Sequence, residues 1–157
     1  MLVAACALVD AENRLLVARR PEGKSLAGLW EFPGGKLERG ESPERAVIRE
    51  LREELGVTTE APRLLPLTFA SHAYDDFHLL MPLFVCHEWS GLPSAVEGQK
   101  IAWVQVDELL RQDSHFPMPP ADAPLLPTLR HYLARNAERQ GLRAGSSGLE
   151  LPKISAF

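Results

Sequence analysis

The chain has 157 residues, a formal charge of −4 and 45% hydrophobic residues, which suits one domain with a sizeable core. The acidic balance excludes a sequence-independent grip on duplex nucleic acid, which needs a basic face. No run approaches the ~20 apolar residues of a membrane span.

The opening "MLVAACALVD" is apolar but short and has no basic residue ahead of it, so Leu2–Val9 reads as a first strand rather than a signal peptide. Arg14–Arg19 reads as a second strand, joined to the first by the polar connection "DAEN". "RRPEGKSLAGLWEFPGGKLERGE" follows, a long loop-like stretch in which only "LWEF" resembles a strand. Long loops in compact domains usually carry function. The best helix in the chain comes next. Ser42 is suited to the N-cap, Pro43 to the first helical position, and Gly56 to the stop.

Leu64–Ser71 and Phe77–Trp89 read as strands around the turn "AYDD", and Ile101–Val106 as another before a short "DELLRQ" helix. After the loop "FPMPPADAPLLP", a closing amphipathic helix is expected from Leu125. Residues 1–140 form the expected domain, and 141–157 lose the periodicity and read as a flexible extension. Cys6 and Cys86 stand in separate strand-like runs, which suits buried free thiols and a reducing cytoplasm. His72, His78 and His87 show no metal-ligand spacing and read as core or edge histidines. Trp30 is expected at a core or pocket wall. Strands on both sides of a central helix indicate an α+β fold, a sandwich about a mixed sheet.

The central helix poses a question of charge. At about 100° per residue, Val47, Ile48, Leu51 and Leu55 share an apolar stripe, while Glu50, Glu53 and Glu54 share one adjacent sector. Arg45, Arg49 and Arg52 cluster apart from the acids on this wheel. Two unit charges 4 Å apart repel by about 1 kcal/mol in water and about 4 kcal/mol at a surface-like dielectric. A solvated acidic face softened by pairs such as Arg49–Glu53 is one reading. A cation site is the other, because hard divalent ions sit between carboxylates and substrate phosphates. Gly34 and Gly35 lie in the loop feeding the helix, where small residues let backbone groups approach a ligand.

Gly35, five residues, Glu41, seven residues, then "RELREELGV" is similar at every fixed position to the Nudix box: Gly35, Glu41, Arg49, Glu50, Leu51, Glu53, Glu54, Gly56 and Val57. From about Leu2 to Leu133 the chain resembles the MutT branch, through "RRPEGKSLAGLWEFPGGK", the "EGQ" around Glu97 and "PPADAPLL". The resemblance implies a Nudix-type α/β/α sandwich with a mixed sheet and the catalytic loop–helix between sheet and solvent. It implies Mg2+-dependent hydrolysis of oxidised nucleoside triphosphates, 8-oxo-dGTP to 8-oxo-dGMP and pyrophosphate, by a monomer, with Mn2+ able to substitute. The metal would be held by Glu50, Glu53, Glu54, the Gly34 carbonyl and Glu97. Glu50 or Glu53 would be the general base, Arg49 would orient the acids, and Glu41 would support the loop–helix corner. Substrate would meet Arg20, Glu31, Phe32, Gly34, Gly35, Lys36 and Asp122.

Asp122 stands where the founding MutT enzyme has an Asn that reads the oxidised guanine edge. An ionised Asp only accepts hydrogen bonds, whereas a protonated one both donates and accepts. Oxoguanine suits the protonated form and the cytosine amine the ionised form. A (deoxy)cytidine triphosphate pyrophosphohydrolase is therefore the alternative, ahead of a non-catalytic Nudix-fold binding module or an enzyme of capped RNA ends. Asp122 is also placed to N-cap the last helix.

Overall fold

The structure, a computed structural model, describes the backbone of residues 1–146. Its strands are β1 (Val3–Leu8), β2 (Leu15–Arg19), β3 (Trp30–Glu31), β4 (Gly34–Lys36), β5 (Leu65–Ala73), β6 (His78–Cys86) and β7 (Ile101–Val104). Its helices are α1 (Pro43–Leu55), α2 (Val106–Leu109) and α3 (Leu126–Ser146), with 3-10 turns at Ala61–Arg63 and Ala123–Leu125.

Two sheets result. One is four-stranded in the order β4-β1-β6-β5, with β1 and β6 parallel and the other pairs antiparallel. The other is antiparallel in the order β3-β2-β7. Alternation along β1 explains why both of its faces are covered. Ala4, Cys6 and Leu8 join the α1 residues Ala46, Val47, Leu51 and Leu55 in one core, while Ala5 and Ala7 join Leu129 and Leu133 of α3 in the other. This is an α/β/α sandwich about a mixed sheet, as expected. Each fully buried leucine contributes about 1.5–3 kcal/mol, so the two cores clamp the sheet from both sides.

The ends of α1 match the sequence reading. The Ser42 side chain accepts from the Arg45 amide at 3.3 Å, Pro43 opens the helix, and Gly56 ends it at φ 70. Other boundaries move. The strand expected over "LWEF" covers only Trp30–Glu31, and Gly34–Lys36, read as loop, is a strand paired with β1. Two glycines hide a strand because they carry no β-favouring side chain. Helix α3 continues over 141–146, past the Gly141 boundary read from the sequence; the rest of that expected extension lies outside the described residues. Cys6 and Cys86, apart in the sequence, are free and buried on the neighbouring strands β1 and β6. Among the described residues no helix is long and apolar enough to cross a membrane.

Candidate active site

Strand β4 sits against β1 so closely that Gly34 has no room for a side chain. A Cβ there would lie 2.7 Å from the Ala5 Cα and closer still to the Ala4 carbonyl oxygen. Gly35 faces the helix instead. A Cβ on it would fall within 3.0 Å of Glu50 Oε2 and nearer to that carboxylate's other atoms. The two glycines thus seat the loop on the sheet and leave a cradle for the Glu50 carboxylate.

Arg49 organises this corner. Its Nε and Nη2 donate to the two Glu41 oxygens at 2.9 Å each, its Nη1 to Glu50 at 2.7 Å and Glu53 at 3.4 Å, and its Nη2 to the Lys36 carbonyl at 3.1 Å. The wheel set Arg49 apart from the acids; its long side chain folds back among them. Glu41 also accepts from the Glu38 amide at 2.9 Å, and the Arg49 bonds lead in holding its pKa down at about 2. The same bonds raise the Arg49 pKa above its ordinary value. Loop, strand and helix are tied together by one guanidinium fork.

The acids have different surroundings. Glu54 is pushed up to about 9, first by burial and then by Glu50, Glu31 and Glu97. Glu53 is 50% exposed and, among the described residues, pairs with the single cation Arg49. Glu97 lies in an exposed loop that closes over the end of α1: Gln99 Nε2 donates to the Glu54 carbonyl at 2.8 Å, and the Val96 amide to the same oxygen at 3.2 Å. Among the described residues, no three of these carboxylates converge on one point at ligating distance. The donor set still fits a hard divalent cation: oxygen ligands only, several of them carboxylates, gathered around the cradle that Gly35 leaves for Glu50.

A cavity of about 510 Å3 opens beside this corner, within the range of small-ligand sites. Arg20, Glu31, Phe32, Gly34, Gly35, Lys36 and Asp122, all read from the sequence as substrate contacts, line it. Arg20 is not free: its Nη1 donates to both Glu31 oxygens at 2.9 and 3.0 Å, and its Nε to the Ser25 carbonyl at 2.7 Å. Burial raises the Glu31 pKa and the Arg20 pair opposes that rise. Asp122 is the buried charged residue of the core, only 5% exposed. Its pKa is raised to about 7, by burial first and Glu31 second, against a hydrogen bond from the Phe32 amide. It does not cap the last helix as expected: its backbone is already helical and its side chain makes no capping bond. Asp122 lines the cavity instead.

Trp30 stays out of the cavity, packed edge-on to Phe116 at 5.0 Å. Sequence reasoning missed Leu26, Tyr74 and Phe77, which do line it. The signal was present in "AYDDF", two aromatics flanking a two-residue turn.

A model of the NUDIX domain family matches residues 1–129. The chain is 36% identical over 128 residues to "CTP pyrophosphohydrolase" of Escherichia coli (strain K12), covering 80% of this chain and 89% of that protein. It is 34% identical over 121 residues to "8-oxo-dGTP diphosphatase" of the same organism, covering 77% and 89%. Among solved structures, a MutT NUDIX hydrolase from Burkholderia pseudomallei superposes with a TM-score of 0.69 at 31% identity, covering 81% of this chain and 95% of that one. Box, fold and relatives agree, and the chain belongs to the Nudix family as a MutT-like hydrolase.

Proposed function

We propose that this protein hydrolyses nucleoside triphosphates to monophosphate and pyrophosphate, and that 8-oxo-dGTP is its preferred substrate. The observation carrying this reading is the placement of a buried Asp122 in the same cavity that Gly34 and Gly35 line at the acid helix. One end suits phosphates and the other a base edge.

Glu50, Glu53, Glu54, Glu97 and the Gly34 carbonyl would hold Mg2+, with Mn2+ as a substitute. When bound, the cation supplies charge neutralisation for the triphosphate and for the crowded acids. Glu53, held by Arg49 at 3.4 Å where Glu50 is held at 2.7 Å, and half exposed, is the base that takes the proton of the attacking water. Glu50 is held by Arg49 and serves as a fixed ligand. Arg20 moves from Glu31 to phosphate, exchanging one anion for a more highly charged one. Lys36 adds a second cation at the cavity wall. A proton on Asp122 lets its carboxyl donate to O6 and accept from the N7–H that oxidation creates. The reading takes a monomer as the working unit, with every named group on one chain.

A cytidine triphosphate pyrophosphohydrolase is the second reading. It is favoured by the same residue, since at about 7 Asp122 is half ionised near neutral pH and can accept from the cytosine amine. Pyrophosphate release with Mg2+ from 8-oxo-dGTP, dGTP and dCTP at limiting concentration decides between them. A leading kcat/KM for 8-oxo-dGTP supports the first reading, and one for dCTP overturns it in favour of the second. Glu54→Gln is the control: it should abolish turnover and keep the fold, and an unchanged rate would remove the acid helix from the chemistry.

A further inference from the structure

We propose that Phe77 is the stacking plate for the nucleobase and that the hairpin behind it makes the site favour purines over pyrimidines. This rests on the triphosphate reading above and adds the recognition of the base face, which Asp122, placed to read an edge, does not supply.

Phe77 is 39% exposed and lines the cavity. It is not loosely placed. The Tyr74 amide donates to the Phe77 carbonyl at 2.8 Å across the Asp75–Asp76 turn, which fixes the two residues side by side. Their rings lie 5.0 Å apart and tilted by 31°. Tyr74 in turn meets His72 edge-on at 4.6 Å. Three rings therefore run in series from within β5 to the cavity, and the last of them keeps a free surface.

The surroundings say what that surface is for. Leu26, from the loop after β2, also lines the cavity and is 41% exposed, held there at φ 59. A non-glycine residue in the left-handed region is strained, and such strain persists where the surrounding structure enforces it. The Leu29 amide, donating to the Leu26 carbonyl at 3.2 Å, supplies the hold, and the Arg20 Nε bond to the adjoining Ser25 carbonyl adds to it. Two exposed apolar groups from different loops thus border a cavity whose walls include Val3, Leu79 and Met81. A flat π-system entering beside Asp122 covers this apolar surface, and a bicyclic base covers more of it than a monocyclic one.

The test compares Phe77→Ala, Phe77→Leu and Phe77→Trp with wild type, using kcat and KM for 8-oxo-dGTP and dCTP. Inhibition by inorganic tripolyphosphate, which has no base, is measured alongside. Loss of a base–aromatic stack should raise KM for the purine by about 5- to 100-fold in Phe77→Ala, with kcat little changed. The pyrimidine should lose less, tripolyphosphate inhibition should not move, and Phe77→Trp should restore the purine KM. An unchanged purine KM, or an equal weakening of tripolyphosphate, overturns the proposal. If wild type turns over no triphosphate, the parent reading fails. Calorimetric titration of 8-oxo-dGMP and CMP into wild type and Phe77→Ala then judges the plate alone: weaker purine binding in the variant supports it, and equal binding overturns it.

Discussion

Replacing Gly35 by alanine separates the chemistry of the site from the stability of the fold. The added Cβ meets the end of the Glu50 side chain rather than backbone, so the carboxylate can yield. To reach ordinary contact it must retreat by about 1 Å, a displacement that costs about 100-fold in rate when a catalytic group depends on position. That is roughly 2.7 kcal/mol of transition-state stabilisation. Retreat also weakens the 2.7 Å bond from Arg49, a charge-assisted contact worth about 1.5–3 kcal/mol. Against this, alanine restricts the unfolded chain and returns about 0.4–1 kcal/mol. The net loss of stability is therefore about 1 kcal/mol. Gly34→Ala behaves differently, because its Cβ would strike the backbone of Ala4 and Ala5 and part β4 from β1; overpacking of that kind costs about 3 kcal/mol. Urea denaturation and steady-state pyrophosphate release measure both quantities. A Gly35→Ala protein with kcat/KM within about threefold of wild type would refute the cradle.

Other outcomes test other parts of the account. Arg49→Lys keeps the charge but loses the fork that grips Glu41, so activity should fall by about 10- to 100-fold while KM changes less; equal activity would show that charge alone suffices. Asp122 binds its proton more tightly in the folded chain than in the unfolded one, at about 7 against an ordinary 3.8. Its contribution to stability is thus complete below about pH 4 and lost as pH rises through 7, amounting to at most about 4 kcal/mol. Denaturant curves across that window should flatten in Asp122→Asn, and an unchanged pH profile would show that the carboxyl is not buried. Leu51→Ala, emptying a fully buried position between α1 and the sheet, should destabilise by about 3 kcal/mol, and a loss below about 1 would mean that the helix is not clamped there.

Much of the helix and its loop was legible in the sequence because local rules govern them. A serine cap, a proline start, a glycine stop and an apolar stripe act within a few residues, and the spacing from Gly35 to Val57 identifies the family. Where the side chains of the acids and Arg49 would point was not legible, since a helical wheel gives directions at Cβ and an arginine reaches past them. Strand β4 was hidden because its glycines are chosen for close approach to Ala4 and Ala5, a tertiary cause with no local trace. That Cys6 and Cys86 lie on neighbouring strands follows from the parallel pairing of β1 with β6, which joins segments far apart in the chain and sets Cys6 opposite Phe84 and Cys86 opposite Leu8. Asp122 reads from the sequence as a substrate contact or a helix cap, and only the packing around it places it on a cavity wall with no capping bond.

The cavity draws its two ends from unconnected pieces of chain. The acid corner comes from β4 and α1, while the end lined by Tyr74, Phe77 and Asp122 comes from the β5–β6 turn and the loop before α3. Substitutions in that turn or loop leave the bonds around Arg49 untouched. On the proposed reading, the base preference could therefore be altered by substitutions in the turn and loop without rebuilding the acid corner.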